Sequence, residues 1–251
     1  MFIAGFPAGP WGTNCSVVAT GAGNECVVID PGKDAAEGVA QVVREHNLKP
    51  VSVLVTHGHI DHMWCVAPVA GSYDATAYIH PDDRHLLSDP MAGISPESAG
   101  MLLGGDYEFT EPDDVAELSD GAELELAGLR FVVDHTPGHT EGSVTFRTPW
   151  NDVSGPDISE LMFSGDLLFQ GSIGRTDLPG GDHAKMLRSL ATKVLPLADG
   201  RSAALLPALL DDPREVRRLL NRYELNPGLA RRRCGLARPV GGDRGLPGGA
   251  E

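Results

Sequence analysis

Residues 51–62 read Val-Ser-Val-Leu-Val-Thr-His-Gly-His-Ile-Asp-His, so an apolar run ends abruptly in three histidines and an aspartate. The β-branched residues before Thr56 predict a buried strand. Imidazole and carboxylate are the ligands that borderline divalent metals such as zinc prefer. Without a metal, these histidines would repel one another whenever they became protonated. The cluster therefore predicts a metal site at the end of a strand.

Two later segments repeat the arrangement of a strand, a break and a polar side chain. Residues 132–140 read Val-Val-Asp-His-Thr-Pro-Gly-His-Thr, and residues 161–166 read Leu-Met-Phe-Ser-Gly-Asp. Each break contains a glycine, which permits a sharp turn or a close backbone approach. Taken alone, an aspartate after a Ser-Gly pair is most often a turn residue. Taken with the first cluster, His139 and Asp166 are candidate ligands of the same site.

Length and composition favour a large α/β protein. The chain has 251 residues, of which 41% are hydrophobic, enough for one large domain or two small ones. No run of 18 apolar residues occurs, which predicts no membrane span. The first residues lack the basic start and long apolar stretch of a signal peptide, so we expect a cytoplasmic location. The four cysteines show no C-x-x-C spacing and are expected to be free thiols.

Charge is distributed unevenly along the chain. The net charge of −15 argues against a nucleic-acid partner, because phosphate binding needs clustered lysine and arginine. Residues 211–251 nevertheless carry nine basic against six acidic side chains. The last part of that segment, 231–251, is rich in glycine, proline and arginine and is expected to be disordered. We therefore predict one domain over 1–210, followed over 211–251 by a divergent C-terminal helix and a disordered basic tail.

Periodicity and turn residues predict an alternation of strands and helices. The predicted strands are 15–20, 25–30, 51–55, 75–79, 123–126, 129–134, 143–147, 161–164 and 203–206. The predicted helices are 35–47, a segment from the histidine cluster to about 70, 81–87 and 182–194. Residues 89–120 are expected to form a long surface excursion. Two β-rich halves accompanied by helices fit a four-layer αββα sandwich, with the candidate ligands at strand ends along one edge.

These segments resemble those of the metallo-β-lactamase superfamily, and within it the glyoxalase II-type hydrolases. The resemblance covers roughly residues 1–207 and rests on 56–62, 136–143 and 164–166. A further stretch, 171–181, reads Gly-Ser-Ile-Gly-Arg-Thr-Asp-Leu-Pro-Gly-Gly and is similar to the short bacterial glyoxalase II-like branch. The resemblance implies the αββα fold and a metal-dependent hydrolase whose substrate is a small-molecule thiolester.

The same resemblance implies a site for two metal ions, with zinc expected and iron possible. The first metal would be held by His57, His59 and His139, the second by Asp61 and His62, and Asp166 would bridge them. Such a pair makes hydroxide available at neutral pH and polarises the carbonyl that the hydroxide attacks. Asp61 would also orient or deprotonate the water. Arg175 would bind an anionic substrate group, or would instead pair with Asp177 to hold its loop.

The chain departs from the family near its last predicted strand. The family normally supplies a further histidine there, in a Leu-Pro-Gly-His-Gly turn that completes the second metal site. Here residues 206–210 read Leu-Pro-Ala-Leu-Leu, and no histidine follows His183. Because leucine cannot ligate a metal, we expect the first metal to bind and the second to bind weakly.

Three functions remain open on the sequence. The first is a metal-dependent thiolester hydrolase. The second is a mononuclear iron persulfide dioxygenase, a family that shares the fold and needs only a site like the first one. The third is a catalytically impaired homologue that keeps the fold and one metal.

Overall fold

A computed structural model describes residues 1–95, 107–150, 159–169, 171–200 and 203–206. Its strands form two main β-sheets and one short hairpin. The expectations for Leu209, Cys234 and the segment 211–251 fall outside the described residues.

The first sheet contains the first six strands in chain order. They are β1 (Phe2–Ala8), β2 (Thr13–Ala19), β3 (Glu25–Ile29), β4 (Lys49–Leu54), β5 (Thr76–Ile79) and β6 (Val115–Glu117). Strands β1 to β3 pair antiparallel, whereas β3 to β6 pair parallel. Parallel neighbours need crossover connections, and helices provide the first two of them.

The second sheet has the order β13-β10-β9-β8-β7. Its strands are β7 (Glu123–Leu126), β8 (Leu129–His135), β9 (Val144–Pro149), β10 (Glu160–Phe163) and β13 (Ala203–Leu206). The pair β10–β13 is parallel and the other pairs are antiparallel. The short hairpin consists of β11 (Leu168–Phe169) and β12 (Ser172–Ile173).

Six α-helices accompany the sheets within the described ranges. They are α1 (Ala35–His46), α2 (Ile60–Met63), α3 (Val66–Tyr73), α4 (Pro81–Arg84), α5 (His183–Ser189) and α6 (Leu195–Gly200). A π-helical turn, Leu190–Val194, joins α5 to α6, and 3-10 turns cover His85–Leu87 and Pro90–Gly93. No helix in these parts of the chain is long and apolar enough to cross a membrane.

Alternating side chains on the strands separate three layers of core. On β3, Cys26 and Val28 pack on the side of α1 and α3, whereas Val27 and Ile29 pack between the two sheets. On β10, Phe163 joins the core between the sheets, and its neighbour Met162 packs against the α5–α6 helical segment. Because successive strand residues point to opposite faces, each sheet is covered on both sides. The four-layer αββα sandwich is confirmed.

The ends of β4, β8 and β10 meet along one edge of the sandwich. Gly165, which follows β10, lies against Thr56, which follows β4. A Cβ built on Gly165 would lie 2.5 Å from the Thr56 Oγ1 atom, and its φ of +48° is left-handed. Glycine is therefore required there for both the turn and the close approach of the two sheets. This contact places Asp166 beside the histidine cluster.

The predicted elements need three corrections. Strand β1 was not predicted, because Gly5 and Pro7 interrupt its alternation. The excursion predicted over 89–120 is wrong at Val115–Glu117, which forms the edge strand β6. The hairpin β11–β12 was also missed. Strands of two or three residues are too short for a periodic pattern to be recognised. Cys15, Cys26 and Cys65 are buried free thiols, as expected.

We expect Phe131→Ala to lower the free energy of unfolding by about 4 kcal/mol, because it removes a large side chain from the core between the sheets. Phe131 is fully buried and lies 6.5 Å, centroid to centroid, from Phe163. Urea unfolding would measure the change, with Tyr107→Ala, at an exposed aromatic residue, as the comparison. Equal losses in the two variants would contradict this description of the core.

Candidate metal centre

Four buried histidines meet at the edge where the strands end. His57 and His59 lie in the extended segment after β4, His62 lies in α2, and His139 follows β8. Their exposed fractions are between 1% and 5%. The strands thus fix where each histidine-bearing segment begins. The turns and the short helix that follow direct the histidine rings toward one another.

Three of these rings direct nitrogen atoms at one point. The Nε2 atom of His139 lies 2.8 Å from Nδ1 of His59 and 3.1 Å from Nε2 of His57. The three rings are close to perpendicular, with interplanar angles of 77° to 89°. In-plane lone pairs of such rings converge rather than run parallel. We call His57, His59 and His139 the first ligand group.

Hydrogen bonds behind the rings determine which nitrogens keep their lone pairs. Nδ1 of His139 lies 2.7 Å from the backbone oxygen of Arg175, which can only accept, so His139 donates from Nδ1. The Thr56 hydroxyl donates to Asp30 Oδ2 at 2.7 Å, so it accepts from Nδ1 of His57 at 3.2 Å. The Nε2 atoms of His57 and His139 therefore face each other with lone pairs. Such an arrangement is unfavourable without a cation between them and fits a bound metal.

Burial keeps two members of the first ligand group, His57 and His59, neutral. It lowers the pKa of His57 well below its ordinary value, and the neighbouring histidines lower it further. Burial, followed by the charge of His139, lowers the pKa of His59 to about 3. A metal binds only the neutral imidazole, so these rings are ready to ligate without losing a proton.

A second ligand group lies beside the first and contains His62, Asp61 and Asp166. His62 donates from Nδ1 to Asp30 Oδ2 at 3.0 Å. Its Nε2 atom then faces Asp166 Oδ1 at 3.1 Å and Asp61 Oδ2 at 3.6 Å. A lone pair and two carboxylates directed at one region again call for a cation.

Neighbouring charges shift the pKa values of His62 and Asp166 in the second ligand group. Burial opposes a charge on His62, but Asp61, Asp166 and Asp30 together raise its pKa well above the ordinary value. Burial likewise raises the pKa of Asp166, but the charge of His62 outweighs it and lowers this pKa to about 2. Positive charge is therefore favoured at this position, whether a proton or a metal supplies it.

Asp166 connects the two ligand groups. Its Oδ1 atom contacts His62, while its Oδ2 atom lies 3.4 Å from Nε2 of His139 in the first group. His57 also has a ring nitrogen within 4.8 Å of ligand atoms of both His62 and Asp166. The six predicted ligands thus lie together, and Asp166 lies where a bridging ligand is expected.

Arg175 lies differently from the other predicted residues. Its guanidinium group pairs with Asp177 through two contacts of 2.8 Å, and both side chains are exposed. Its contribution to the centre is the backbone oxygen that orients His139. The ion pair with Asp177 that was the alternative is therefore present, and anion binding by Arg175 stays a prediction.

Two buried aspartates that support the centre were not recognised in the sequence. Asp30 accepts from the Thr56 amide and hydroxyl and from His62, so it orients His57 indirectly and His62 directly. Its φ of +49° places it in the left-handed region, which Asp tolerates better than most residues. The Asp-Pro-Gly sequence at 30–32 has the composition of an ordinary strand end, which hid this role.

Asp83 holds the two histidine-bearing loops against each other. Its carboxylate accepts from the amides of Gly58 and Gly142 and from the Thr140 hydroxyl, at 2.6 to 2.8 Å. Gly58 separates two ligands of the first group, and Thr140 follows the third. Asp83 and the groups that donate to it come from distant segments of the chain. Such contacts leave no local sequence signal, so only the structure identifies the role of Asp83.

We expect Asp30→Asn to weaken metal binding by about 10- to 100-fold, because the amide cannot accept from both Thr56 and His62 as the carboxylate does. Competition with a chromophoric chelator would measure the affinity. Asp34→Asn is the matched control, since Asp34 is exposed and also has a positive φ of 63°. Wild-type affinity in Asp30→Asn would show that this carboxylate does not orient the ligands.

Comparison with known proteins agrees with the fold. A sequence model described as the Metallo-beta-lactamase superfamily matches residues 8–202. An uncharacterized protein of Mycobacterium tuberculosis (strain ATCC 25618 / H37Rv) is 43% identical over 208 residues, which are 82% of this chain and 90% of that protein. The hydroxyacylglutathione hydrolase GloC of Haemophilus influenzae is 32% identical over 199 residues, covering 79% and 87% of the two chains.

Solved structures give the same result. The BLEG-1 B3 metallo-beta-lactamase is 36% identical, with a TM-score of 0.65 over 78% of this chain and 87% of that one. TTHA1623, solved in a di-iron-bound form, is 32% identical, with a TM-score of 0.60 over 82% and 90%. The family match spans most of the chain, and the Mycobacterium tuberculosis and Haemophilus influenzae relatives are matched over 90% and 87% of their own length. This chain belongs to the metallo-β-lactamase superfamily.

Proposed function

We propose that this protein is a metal-dependent hydrolase of the glyoxalase II-like branch, acting on thiolesters of a small thiol. The observation that carries the proposal is the position of Asp166, whose two oxygens contact one histidine of each ligand group. This arrangement supports two adjacent cation positions rather than one. The likeness to the hydroxyacylglutathione hydrolase of Haemophilus influenzae supports the thiolester class of substrate.

In this proposal the first ligand group holds one metal and the second ligand group forms the neighbouring position. A metal bound at the first position would lower the pKa of a water molecule and would polarise a carbonyl group. The second position lacks the imidazole that the family supplies after the last strand, because residues 206–210 read Leu-Pro-Ala-Leu-Leu. We therefore propose tight binding of zinc at the first position and weak binding at the second.

The side chain of Asp61 contributes the acid–base chemistry. Its Oδ2 atom accepts from the Thr13 hydroxyl at 2.9 Å, which fixes the carboxylate while about a quarter of it stays exposed. A carboxylate held in this way can orient a water molecule or accept its proton. The leaving group needs no proton of its own, because a thiol with a pKa near 8.5 leaves as the thiolate.

A mononuclear iron oxygenase of persulfides is the second candidate. His57, His139 and Asp166 present two imidazoles and one carboxylate around one point, which is the ligand set of non-haem iron oxygenases. The di-iron form of TTHA1623 also contains iron on a related chain.

One experiment separates the candidates. The purified protein is analysed for its metals and tested with hydroxyacyl thiolesters of glutathione and of an uncharged thiol, a thiol persulfide under oxygen, and a chromogenic cephalosporin. We expect zinc with thiolester hydrolysis. Iron with oxygen uptake would favour the oxygenase, and cephalosporin cleavage alone would favour an activity like that of BLEG-1. Bound metal without any of these activities would identify an impaired homologue.

We expect Leu209→His to raise thiolester hydrolysis by about tenfold, since it returns an imidazole to the position where the family's turn supplies one. Steady-state kinetics with added zinc would measure the gain. Leu210→His is the control, because it adds the same side chain one residue later. No gain in Leu209→His, or an equal gain in both variants, would show that the missing histidine does not limit the second position.

A further inference from the structure

A cavity of about 390 Å³ opens directly beside the second ligand group. Asp61, His62 and Asp166 form one end of it. Its walls come from the inner face of β1 to β3 and from the chain around β10 and β11. The volume lies in the range of small-ligand sites, so the cavity can hold a substantial part of a substrate whose reacting bond lies at the metal centre.

Within the described residues, the wall beyond the ligand groups combines apolar side chains with neutral polar ones. Its apolar side chains include Ile3, Ile29, Phe163 and Phe169, and Asn14 and Ser16 add two neutral polar groups. Among the residues that the structure describes, the ionisable side chains that line the cavity are Asp30, Asp61, His62 and Asp166, which belong to the centre and its support. A substrate carboxylate pressed against this wall would lose its water and would find no cationic partner among the described lining side chains outside the ligand groups.

Trp11 stands at the rim of the cavity. It lies in the β1–β2 turn, where Gly9 and Gly12 have φ values of 60° and 66° and the Gly12 amide donates to the Gly9 oxygen at 3.2 Å. The residue is 37% exposed, one of three large hydrophobic residues exposed within the described ranges. An exposed indole on a hydrogen-bonded turn beside a metal centre is typical of a recognition surface.

We propose that the part of the substrate that enters this cavity is uncharged and places a flat apolar face against Trp11, so that the preferred thiol carrier is neutral and glutathione is disfavoured. The proposal rests on the thiolester hydrolysis proposed above and specifies its substrate. The proposed substrate differs from the glutathione ester named for the Haemophilus influenzae relative, because a glutathione ester carries two carboxylates and one ammonium group. The net charge of −15 acts in the same direction by repelling anions on approach.

The test compares two carriers that share the same tripeptide backbone and differ in charge. The S-methyl thioethers of glutathione and of N-acetylglutathione diamide differ in charge, because acetylation and amidation remove the ammonium group and both carboxylates. Binding of each thioether to the zinc-loaded full chain is measured by calorimetry, and the matching lactoyl thiolesters are used for kcat/KM. We expect the neutral thioether to bind about tenfold more tightly than the charged one.

Two variants at the rim make the test specific. Trp11→Arg places a cation beside the wall and is expected to remove the preference by strengthening glutathione binding. Trp11→Phe keeps a flat apolar ring and is expected to retain the preference. Equal or tighter binding of the glutathione thioether by the wild-type protein overturns the proposal, as does an unchanged preference in Trp11→Arg. A clear preference without hydrolysis of either thiolester would support the neutral cavity and refute thiolester hydrolysis.

Discussion

The Asp166→Asn protein will hydrolyse thiolesters about a thousandfold more slowly than the wild type, because it loses the carboxylate that both ligand groups contact. An amide offers one weak neutral oxygen where the carboxylate offers two charged ones. The first metal should remain bound through His57, His59 and His139, with reduced affinity. Steady-state kinetics with and without added zinc would measure both effects.

Asp177→Asn is the matched control for this prediction. It makes the same change at an exposed carboxylate that pairs with Arg175 on a nearby loop. Its rate should stay within a few-fold of the wild-type rate, since surface ion pairs contribute little. A rate for Asp166→Asn within tenfold of the wild type would contradict the bridging role of Asp166.

The Asp83→Ala protein will lose about 4 kcal/mol of its free energy of unfolding, because the change leaves buried donors without their acceptor. Asp83 is 1% exposed and accepts from Gly58, Gly142 and Thr140. Thr140 keeps a second partner in Ser143, whereas the two amides lose the carboxylate. The loops that carry His57, His59 and His139 would loosen together, so metal affinity should fall as well.

Urea unfolding with and without zinc would measure the loss in Asp83→Ala. The comparison is Asp82→Ala, one residue earlier, where the side chain is 55% exposed and the loss should be below about 1 kcal/mol. Similar stabilities for Asp83→Ala and Asp82→Ala would show that Asp83 does not join the loops.

The sequence predicted the main architecture and the six candidate ligands, because both depend on local patterns. The run Val51–Val55 is largely apolar and β-branched, and four of the six ligands follow it within seven residues. The hairpins around β2–β3 and β7–β8 also carry clear turn residues. These features depend on residues that are close together in the sequence, where periodicity and turn residues are recognisable.

The supporting residues could not be predicted, because their roles depend on contacts between distant segments. Asp30 lies 26 positions before Thr56, and Asp83 lies 59 positions before Gly142. The aspartates at both positions fit ordinary turns when read alone. The orientation of the histidine rings likewise depends on Thr56 and on the Arg175 backbone, which no spacing rule includes. Short strands such as β6 were missed for the different reason that two or three residues are too few to show a periodic pattern.

The most direct test of the centre is the metal content of the purified chain after exhaustive dialysis, measured by elemental analysis on the wild type and on His139→Ala. We predict about one equivalent of metal in the wild type and almost none in His139→Ala, because the first ligand group alone is complete. Two tightly held equivalents in the wild type, or an undiminished equivalent in His139→Ala, would contradict this account.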